Sequence, residues 1–304
     1  MKKIKIALTM LTVCILSFAR PACAHPGHER AAPEENQGKK AILVVSFGTS
    51  VPSAEKGITN LVGEAKKAFP DHEVRLAYTS NIIRRKIAKD RNLLIPSPSE
   101  ALAELNDDGF TQVCVAPTMI IPGVEYENIK SVTDAFSVVK GKYGFKKVTL
   151  GKPFLATIPH CELMAGVLAE RFAKELSDKD TAVVLMGHGS PEHFSHSLYA
   201  QLQIFLDEKA PSRFFVGTVE APPAIEDIVK ALKKTGSKKI VLSPFMIVAG
   251  DHALNDMADR EDGGSWLNVL KAAGYKDISL RQEGLGEDPR IAEIFVNNIR
   301  EMIK

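Results

Sequence analysis

The stretch "TAVVLMGHGS", residues 181–190, is an apolar run rich in β-branched residues that ends at a histidine between two glycines. Such a run predicts a buried strand that turns sharply into a helix. A second stretch, "AILVVSFGTS" at residues 41–50, has the same form, with Phe47 in the place of His188. The chain therefore contains two related strand-turn-helix units, and the histidine distinguishes the second unit from the first.

The similarity between the two units continues along the chain. It joins "EVRLAYTS" (73–80) to "RFFVGTVEA" (213–221), and "PSPSEALAELNDDGFTQVCVAPTMIIPGVEY" (96–126) to "APPAIEDIVKALKKTGSKKIVLSPFMIVAGDHA" (221–253). The first half has an additional segment near "NIIRRKIAKDRNLL". Repetition on this scale predicts an internal duplication.

Short apolar runs alternate with longer amphipathic stretches, which is typical of an α/β protein whose parallel sheets are covered on both faces. We predict an α/β fold of two similar halves, each a parallel sheet flanked by helices, at residues 41–158 and 159–284. A terminal helix at 285–304 carries an apolar Ile/Phe/Ile stripe. This stripe is expected to pack back on the first half.

Three residues at strand ends of the second half differ from their counterparts in the first. His188 stands where the first half has Phe47, Glu220 where it has Thr79, and His252 where it has Glu125. Because ligands bind beyond the carboxyl ends of parallel strands, the three side chains are predicted to meet at one rim of a cleft between the halves. Two imidazoles and a carboxylate suit Co²⁺, Fe²⁺, Ni²⁺ or Zn²⁺, and an imidazole also accepts protons near neutral pH.

Each of the three residues also has a local interpretation. His188 could be a turn residue, Glu220 could cap the next helix, and His252 could pack at a helix start. Agreement among three separate strand ends favours a shared site. His193 and His196 could extend that site, although a solvated first helical turn is the simpler interpretation of this pair.

The N-terminus has the features of a secretory signal. Lysines precede an apolar run, and "ACA" stands before His25, which predicts a signal at 1–24 and a periplasmic mature protein without an integral membrane segment. Residues 25–40 are polar and are expected to form a flexible leader. Cleavage removes four basic residues and changes the formal net charge from +2 to −2, which argues against nucleic-acid binding. Cys114 and Cys161 remain, and nothing in the sequence requires a disulfide between them.

The motifs "VVSFGTS", "AYTSNIIRRK", "MGHGSPEH", "GTVEAPP" and "PFMIVAGDHALNDM" resemble those of the anaerobic (class II) cobalt chelatases of cobalamin synthesis, which are similar in fold to ferrochelatase. The resemblance runs from about residue 41 to the C-terminus. It implies that His188, Glu220 and His252 form the metal site and are catalytic. The implied reaction inserts Co²⁺, with Fe²⁺ as the second candidate, into a sirohydrochlorin-type tetrapyrrole and releases two protons.

The tetrapyrrole is expected in the cleft between the halves. Apolar walls from "PTMIIPG" and "PFMIVAG" would hold its faces, while backbone amides of the strand-end turns and the basic trio Arg84, Arg85 and Lys86 would receive its carboxylates. The residues expected to bind this substrate are Phe47, Gly48, Thr49, Ser50, Arg84, Met119, Gly189, Ser190 and Phe245.

Two features depart from the family pattern. Met119 stands where the family favours a polar residue or histidine, and a secretion signal is unusual for an enzyme of cobalamin synthesis. A periplasmic carrier of tetrapyrrole, haem or metal is the alternative function, since it too would have a signal, two lobes and a cleft. The sequence leaves haem binding and homo-oligomer formation open.

Overall fold

A computed structural model gives the structure of residues 38–304. Eight strands lie within these residues: β1 Lys39–Ser46, β2 Glu73–Tyr78, β3 Phe110–Pro117, β4 Lys147–Leu150, β5 Thr181–Gly187, β6 Phe214–Thr218, β7 Lys239–Pro244 and β8 Asp277–Leu280. They form two four-stranded parallel sheets, in the orders β2-β1-β3-β4 and β6-β5-β7-β8. The two orders are equivalent, so the predicted α/β fold of two similar halves is confirmed.

Helices follow the strands in both halves. Within the described residues they are α1 Glu55–Ala68, α2 Asn81–Arg91, α3 Pro98–Asp107, α4 Val124–Val138, α5 Ile158–Arg171, α6 Ala173–Leu176, α7 Leu198–Lys209, α8 Ile225–Leu232, α9 Trp266–Ala272 and α10 Pro289–Ile303. The additional segment of the first half forms α2, which has no counterpart between β6 and α8. None of the helices in residues 38–304 is both long and apolar enough to cross a membrane.

The predicted signal at 1–24 and most of the predicted leader at 25–40 lie outside the described residues. β1 nevertheless begins at Lys39, inside the range assigned to the leader. Lys39 and Lys40 are exposed, and they belong to the strand because their backbone pairs with β3. Polar composition alone could not distinguish this strand end from the leader.

The backbone pairing corrects one detail of the sequence comparison. Ser80 donates its N–H to the carbonyl of Phe47, and Glu220 donates its N–H to the carbonyl of His188. The counterpart of Glu220 is therefore Ser80, and the pairing with Thr79 is wrong by one residue. These residues follow the ends of β2 and β6, where the apolar alternation that aligns two strands no longer applies.

The largest apolar core joins the two sheets. It connects Ile42 and Val44 of β1 with Val183 and Leu185 of β5, and it includes buried side chains of α1, α5, α7 and α10. Alternate residues of the same strands face two further clusters on the other sides of the sheets. The halves therefore share their main core, as expected when layers of secondary structure bury apolar faces against each other.

Three glycines bring backbone segments into close contact, and two of them, Gly57 and Gly286, join α1 of the first half to segments that lie later in the chain. A Cβ on Gly57 of α1 or on Gly284 would lie 2.4 Å or 2.3 Å from the carbonyl oxygen of Ile247. A Cβ on Gly286 would lie 2.4 Å from the carbonyl oxygen of Gly57. The segment before α10 thus lies directly on α1, and α10 itself packs against α1 and β3 of the first half.

Candidate metal centre

Three side chains meet at the carboxyl ends of strands in the second sheet. His188 directly follows β5, Glu220 lies two residues after β6, and His252 precedes a π-helical turn after β7. One potential ligand atom of each lies within 4.8 Å of the others, and the imidazole rings of His188 and His252 are edge to face with centroids 4.8 Å apart. The structure therefore brings together the three residues that the strand-end pattern predicted.

This set of donors suits a divalent first-row metal ion. Ligand atoms about 2.1 Å from one ion lie at most about 4.2 Å apart, so modest side-chain rotations bring the three residues onto a common ion. His188 and Glu220 are exposed, and the side chain of His252 is 33% exposed. An ion can therefore enter from solvent, and three protein ligands leave a coordination position open.

Hydrogen bonds orient both imidazoles. Nδ1 of His252 lies 2.7 Å from Oδ2 of Asp256, and Nδ1 of His188 lies 3.1 Å from the carbonyl oxygen of Gly189. Since both partners are acceptors, each Nδ1 carries the proton and each Nε2 remains available for a metal. The sequence analysis missed Asp256, although its spacing of four residues from His252 was a usable signal.

The backbone after His252 is irregular. Ala253–Met257 forms a π-helical turn, which contains Asp256. Such turns are rare and are often found at functional sites. The sequence analysis did not predict this turn, because the wider hydrogen-bonding pattern has no distinct residue signature.

Equivalent glycines shape the turns after β1 and β5. Gly48 and Gly189 have φ values of 97° and 95°, a conformation that side chains with a Cβ rarely adopt. A Cβ on Gly189 would also lie 3.0 Å from Oγ1 of Thr218, at the end of β6. The turn that carries His188 therefore passes close to the strand that precedes Glu220.

The strand-end loops of the two halves touch in a reciprocal pair of contacts. A Cβ on Gly123 would lie 3.0 Å from Oγ of Ser190, and a Cβ on Gly250 would lie 3.0 Å from Oγ1 of Thr49. Gly123 is the counterpart of Gly250, and Thr49 is the counterpart of Ser190. The two halves thus meet beside the His–Glu–His set, so turns of the first half border the candidate metal site.

The backbone amides predicted to receive carboxylates are largely occupied. Gly48 donates its N–H to Oγ of Ser46 (3.4 Å), Gly189 to Oη of Tyr199 (3.4 Å), and Ser190 to Nδ1 of His196 (3.3 Å). The amides of Gly48, Gly189 and Ser190 therefore have partners within the protein in this structure. Tyr199 and His196, which accept from the amides of Gly189 and Ser190, lie at or just before the start of α7. The short motif around His188 does not indicate these partners. Thr49 is buried, Ser50 is half-buried, and the ring of Phe47 is 43% exposed.

Arg84, which was predicted to receive substrate carboxylates, is hydrogen-bonded within the protein. Its guanidinium donates to the carbonyl oxygen of Ile95 at 2.8 Å, to Oδ1 of Asn81 at 3.0 Å, and to the carboxylate of Glu100. These bonds fasten the segment between α2 and α3. The neighbouring Arg85 and Lys86 are exposed.

The predicted apolar walls are mostly turned into the core. Phe245 is completely buried, with its ring centroid 6.2 Å from that of Tyr199, and Met119 packs against a core cluster of the first sheet. Phe245 therefore faces the core and Met119 is partly buried, which an apolar motif alone does not indicate. The exposed apolar side chains after the ends of β1, β3, β5 and β7 include Phe47, Val124, Phe194 and Leu254, which are 43%, 45%, 84% and 42% exposed.

His193 and His196 do not join the metal set. Nδ1 of His193 lies 2.7 Å from Oγ of Ser195, within its own turn, and His196 contacts neighbouring loops through both ring nitrogens. Within residues 38–304, His188, Glu220 and His252 are the one group of three such side chains placed to share a metal ion. The equivalent positions of the first half carry Phe47, Ser80 and Glu125.

The duplicated parallel fold, with two histidines and a glutamate at the strand ends of one half, defines a protein of the chelatase class. The family described as cobalt chelatase (CbiK) matches residues 40–304, and the chain belongs to this family. The sirohydrochlorin cobaltochelatase of Salmonella typhimurium is 34% identical over 87% of this chain and 97% of that protein. The sirohydrochlorin cobaltochelatase CbiKC of Nitratidesulfovibrio vulgaris is 31% identical over 86% of this chain and 89% of that protein.

Two solved structures share the fold at low sequence identity. SirB from Bacillus subtilis with Fe³⁺ has a TM-score of 0.58 and 17% identity, over 86% of this chain and 95% of that chain. CbiX, described as the terminal enzyme for biosynthesis of siroheme in denitrifying bacteria, has a TM-score of 0.52 and 15% identity, over 87% of this chain and 100% of that chain. Both support the two-half α/β architecture.

Proposed function

We propose that this protein inserts Co²⁺ into a sirohydrochlorin-type tetrapyrrole. The observation that carries the proposal is the convergence of His188, Glu220 and His252 at one rim of the second sheet, in a chain of the cobalt chelatase family. In this reaction Co²⁺ replaces two pyrrole N–H protons, so the site must hold a cation and accept protons.

The three side chains meet both requirements. Neutral Nε2 atoms of His188 and His252 donate lone pairs to Co²⁺, and the Glu220 carboxylate offsets part of its charge. As the ion moves to the ring nitrogens, the imidazoles are released and can accept the departing N–H protons. His188 and Glu220 are exposed, so these protons then pass to water.

Apolar side chains beside the site are suited to the faces of a large flat ring. Phe47, Val124, Phe194 and Leu254 follow four strand ends and are at least 42% exposed. The exposed cations Arg85 and Lys86 at the start of α2 are available to peripheral carboxylates. We include these six residues in the proposed substrate site, in place of the buried Phe245 and the internally bonded Arg84.

Optical spectra of the purified protein with sirohydrochlorin and Co²⁺ test this proposal. If the protein is a chelatase, cobalt insertion is faster with the protein than without it, and each protein molecule converts many rings. A carrier gives a stoichiometric spectral change with no turnover, and this result would overturn the proposal. A parallel series with Fe²⁺ tests the choice of metal, for which the cobalt chelatase family favours Co²⁺.

We also propose that the protein is exported to the periplasm. The Lys-rich start, the following apolar run and "ACA" at residues 22–24 support cleavage after Ala24. Mass spectrometry of the protein from a periplasmic fraction should find a chain that begins at His25. Recovery of the uncleaved chain in the cytoplasm would contradict export.

A further inference from the structure

His196 connects the two loops that carry His188 and Glu220. Its Nδ1 accepts the N–H of Ser190 at 3.3 Å, and its Nε2 lies 2.6 Å from the carbonyl oxygen of Pro222. Ser190 is two residues after His188, and Pro222 is two residues after Glu220. One half-buried imidazole therefore spans the loops that follow β5 and β6.

The two backbone partners determine the tautomer of this imidazole. A backbone N–H can only donate and a carbonyl oxygen can only accept. Nδ1 of His196 must therefore be unprotonated, while Nε2 carries the proton and donates it to Pro222. With both nitrogens engaged, His196 is not free to act as a metal ligand or as a base.

A second hydrogen bond, to Tyr199, holds the same turn. Oη of Tyr199 accepts the N–H of Gly189 at 3.4 Å, and burial raises the pKa of Tyr199 to about 12, so its phenol stays protonated at neutral pH. The ring of Tyr199 packs against Phe245 and leaves no room for a side chain on Gly187. Consecutive amides after His188 are thus held by two residues near the start of α7, and of these two side chains His196 is the one that also bonds the Glu220 loop.

The first half lacks this link. His196 stands eight residues after His188, and Glu55 stands eight residues after Phe47. The Glu55 carboxylate pairs with Arg91 at the end of α2 instead of joining the two loops. Among the described residues, the link therefore accompanies the half that carries the metal set.

We propose that His196 is a positioning residue for the metal site, which holds together the loops of His188 and Glu220 beyond the backbone hydrogen bond between these two residues. This inference rests on the proposed function of those two residues as metal ligands. Both ligands are exposed, and the Glu220 N–H donates to the His188 carbonyl oxygen at 2.9 Å, which sets the spacing of their backbones. His196 restrains the residues that follow each ligand. Without this link the residues after the two ligands have more conformational freedom, and ordering them again on metal binding costs conformational entropy.

Titration of the full chain with Co²⁺, followed by visible absorption, tests this role. His196→Phe keeps a ring but removes both hydrogen bonds, and we expect it to weaken Co²⁺ binding about 10- to 100-fold, as for other residues that orient metal ligands. His196→Gln retains one acceptor and one donor, and it should recover most of the affinity. His193→Phe is the matched control, since the side chain of His193 bonds only within its own turn, to Ser195; it should bind Co²⁺ like the wild type.

Thermal melts of the metal-free variants separate positioning from folding. The inference holds if His196→Phe remains folded at the titration temperature and loses affinity that His196→Gln restores. It is overturned if His196→Phe binds Co²⁺ within about twofold of the wild type, or if Phe and Gln variants lose affinity only as they unfold. A wild type that binds no Co²⁺ would overturn the proposed function and this inference with it, whereas failure of the inference alone leaves wild-type binding intact.

Discussion

Asp256 holds the imidazole of His252 in a fixed orientation. The contact between Nδ1 and Oδ2 is 2.7 Å long and leaves Nε2 of His252 available for the metal. The strand-end pattern predicted the three ligands because each one lies in the segment that follows a buried strand. It could not predict Asp256 or His196, since their contacts depend on a π-helical turn and on the packing of α7.

We expect Asp256→Ala to weaken Co²⁺ binding about 10- to 100-fold, because the ring of His252 loses the partner that orients it. Asp251→Ala removes the same charge from the residue before His252, whose carboxylate bonds Asn255 instead, and it should have a much smaller effect. Isothermal titration with Co²⁺ measures both. Equal losses in the two variants would indicate that net charge, and not orientation, is responsible.

Helix α1 joins the two halves through a close backbone contact at Gly57. Gly57 lies against the backbone at Ile247 and Gly286, where a methyl group has no space. The apolar runs at 41–50 and 181–190 predicted β1 and β5, because local patterns determine such elements. Such patterns could not identify which glycine of α1 faces another backbone, since that contact joins segments nearly 200 residues apart.

Gly57→Ala should destabilise the protein by about 1–3 kcal/mol, because the new methyl group forces backbone segments apart. Gly63→Ala is the control in the same helix, where no atom lies within 4 Å of the added Cβ. It should stabilise the protein by about 0.4–1 kcal/mol through the higher helix propensity and lower unfolded-state entropy of alanine. Urea unfolding measures both changes, and destabilisation of equal size in the two variants would contradict the proposed contact.

A buried ion pair joins α5 to the start of α10. Nη1 of Arg171 lies 2.9 Å from Oδ2 of Asp288, and both side chains are 4% exposed. Burial alone would raise the pKa of Asp288, but hydrogen bonds from Arg290 and Arg171 outweigh it and lower the pKa to about 2. The ionised carboxylate therefore stabilises the folded state above the ordinary pKa of about 3.9, and this contribution is lost as the pH falls toward 2.

The wild type should therefore lose about 2 kcal/mol of stability through this carboxylate between pH 5 and pH 2. Asp288→Asn removes the titrating group and leaves Arg171 without its anion, so it should be less stable at neutral pH by about 3–5 kcal/mol. The difference between wild type and variant should become smaller as the pH is lowered. Urea unfolding at several pH values measures this, and a constant difference would contradict the assignment.

The fold of the whole molecule is duplicated, but the candidate metal site lies in the second half. Both sheets have the same strand order and share a core, and Thr49–Gly250 and Ser190–Gly123 contacts join their loops reciprocally. The repeat could be predicted from sequence because two copies of one pattern reinforce each other. Which side chains face the cleft could not, since Phe245 and Arg84 are directed inward by contacts between separate elements.

In the proposed reaction the His188 imidazole acts on the metal and the departing protons, while other contacts hold the tetrapyrrole. The most direct test compares the rate of Co²⁺ insertion into sirohydrochlorin with the affinity for the ring, in the wild type and in His188→Ala. We expect the variant to lose about 10²- to 10⁴-fold in rate, with ring affinity nearly unchanged and a wild-type thermal melt. Retained insertion, or a parallel loss of ring affinity and folding stability, would contradict the claim.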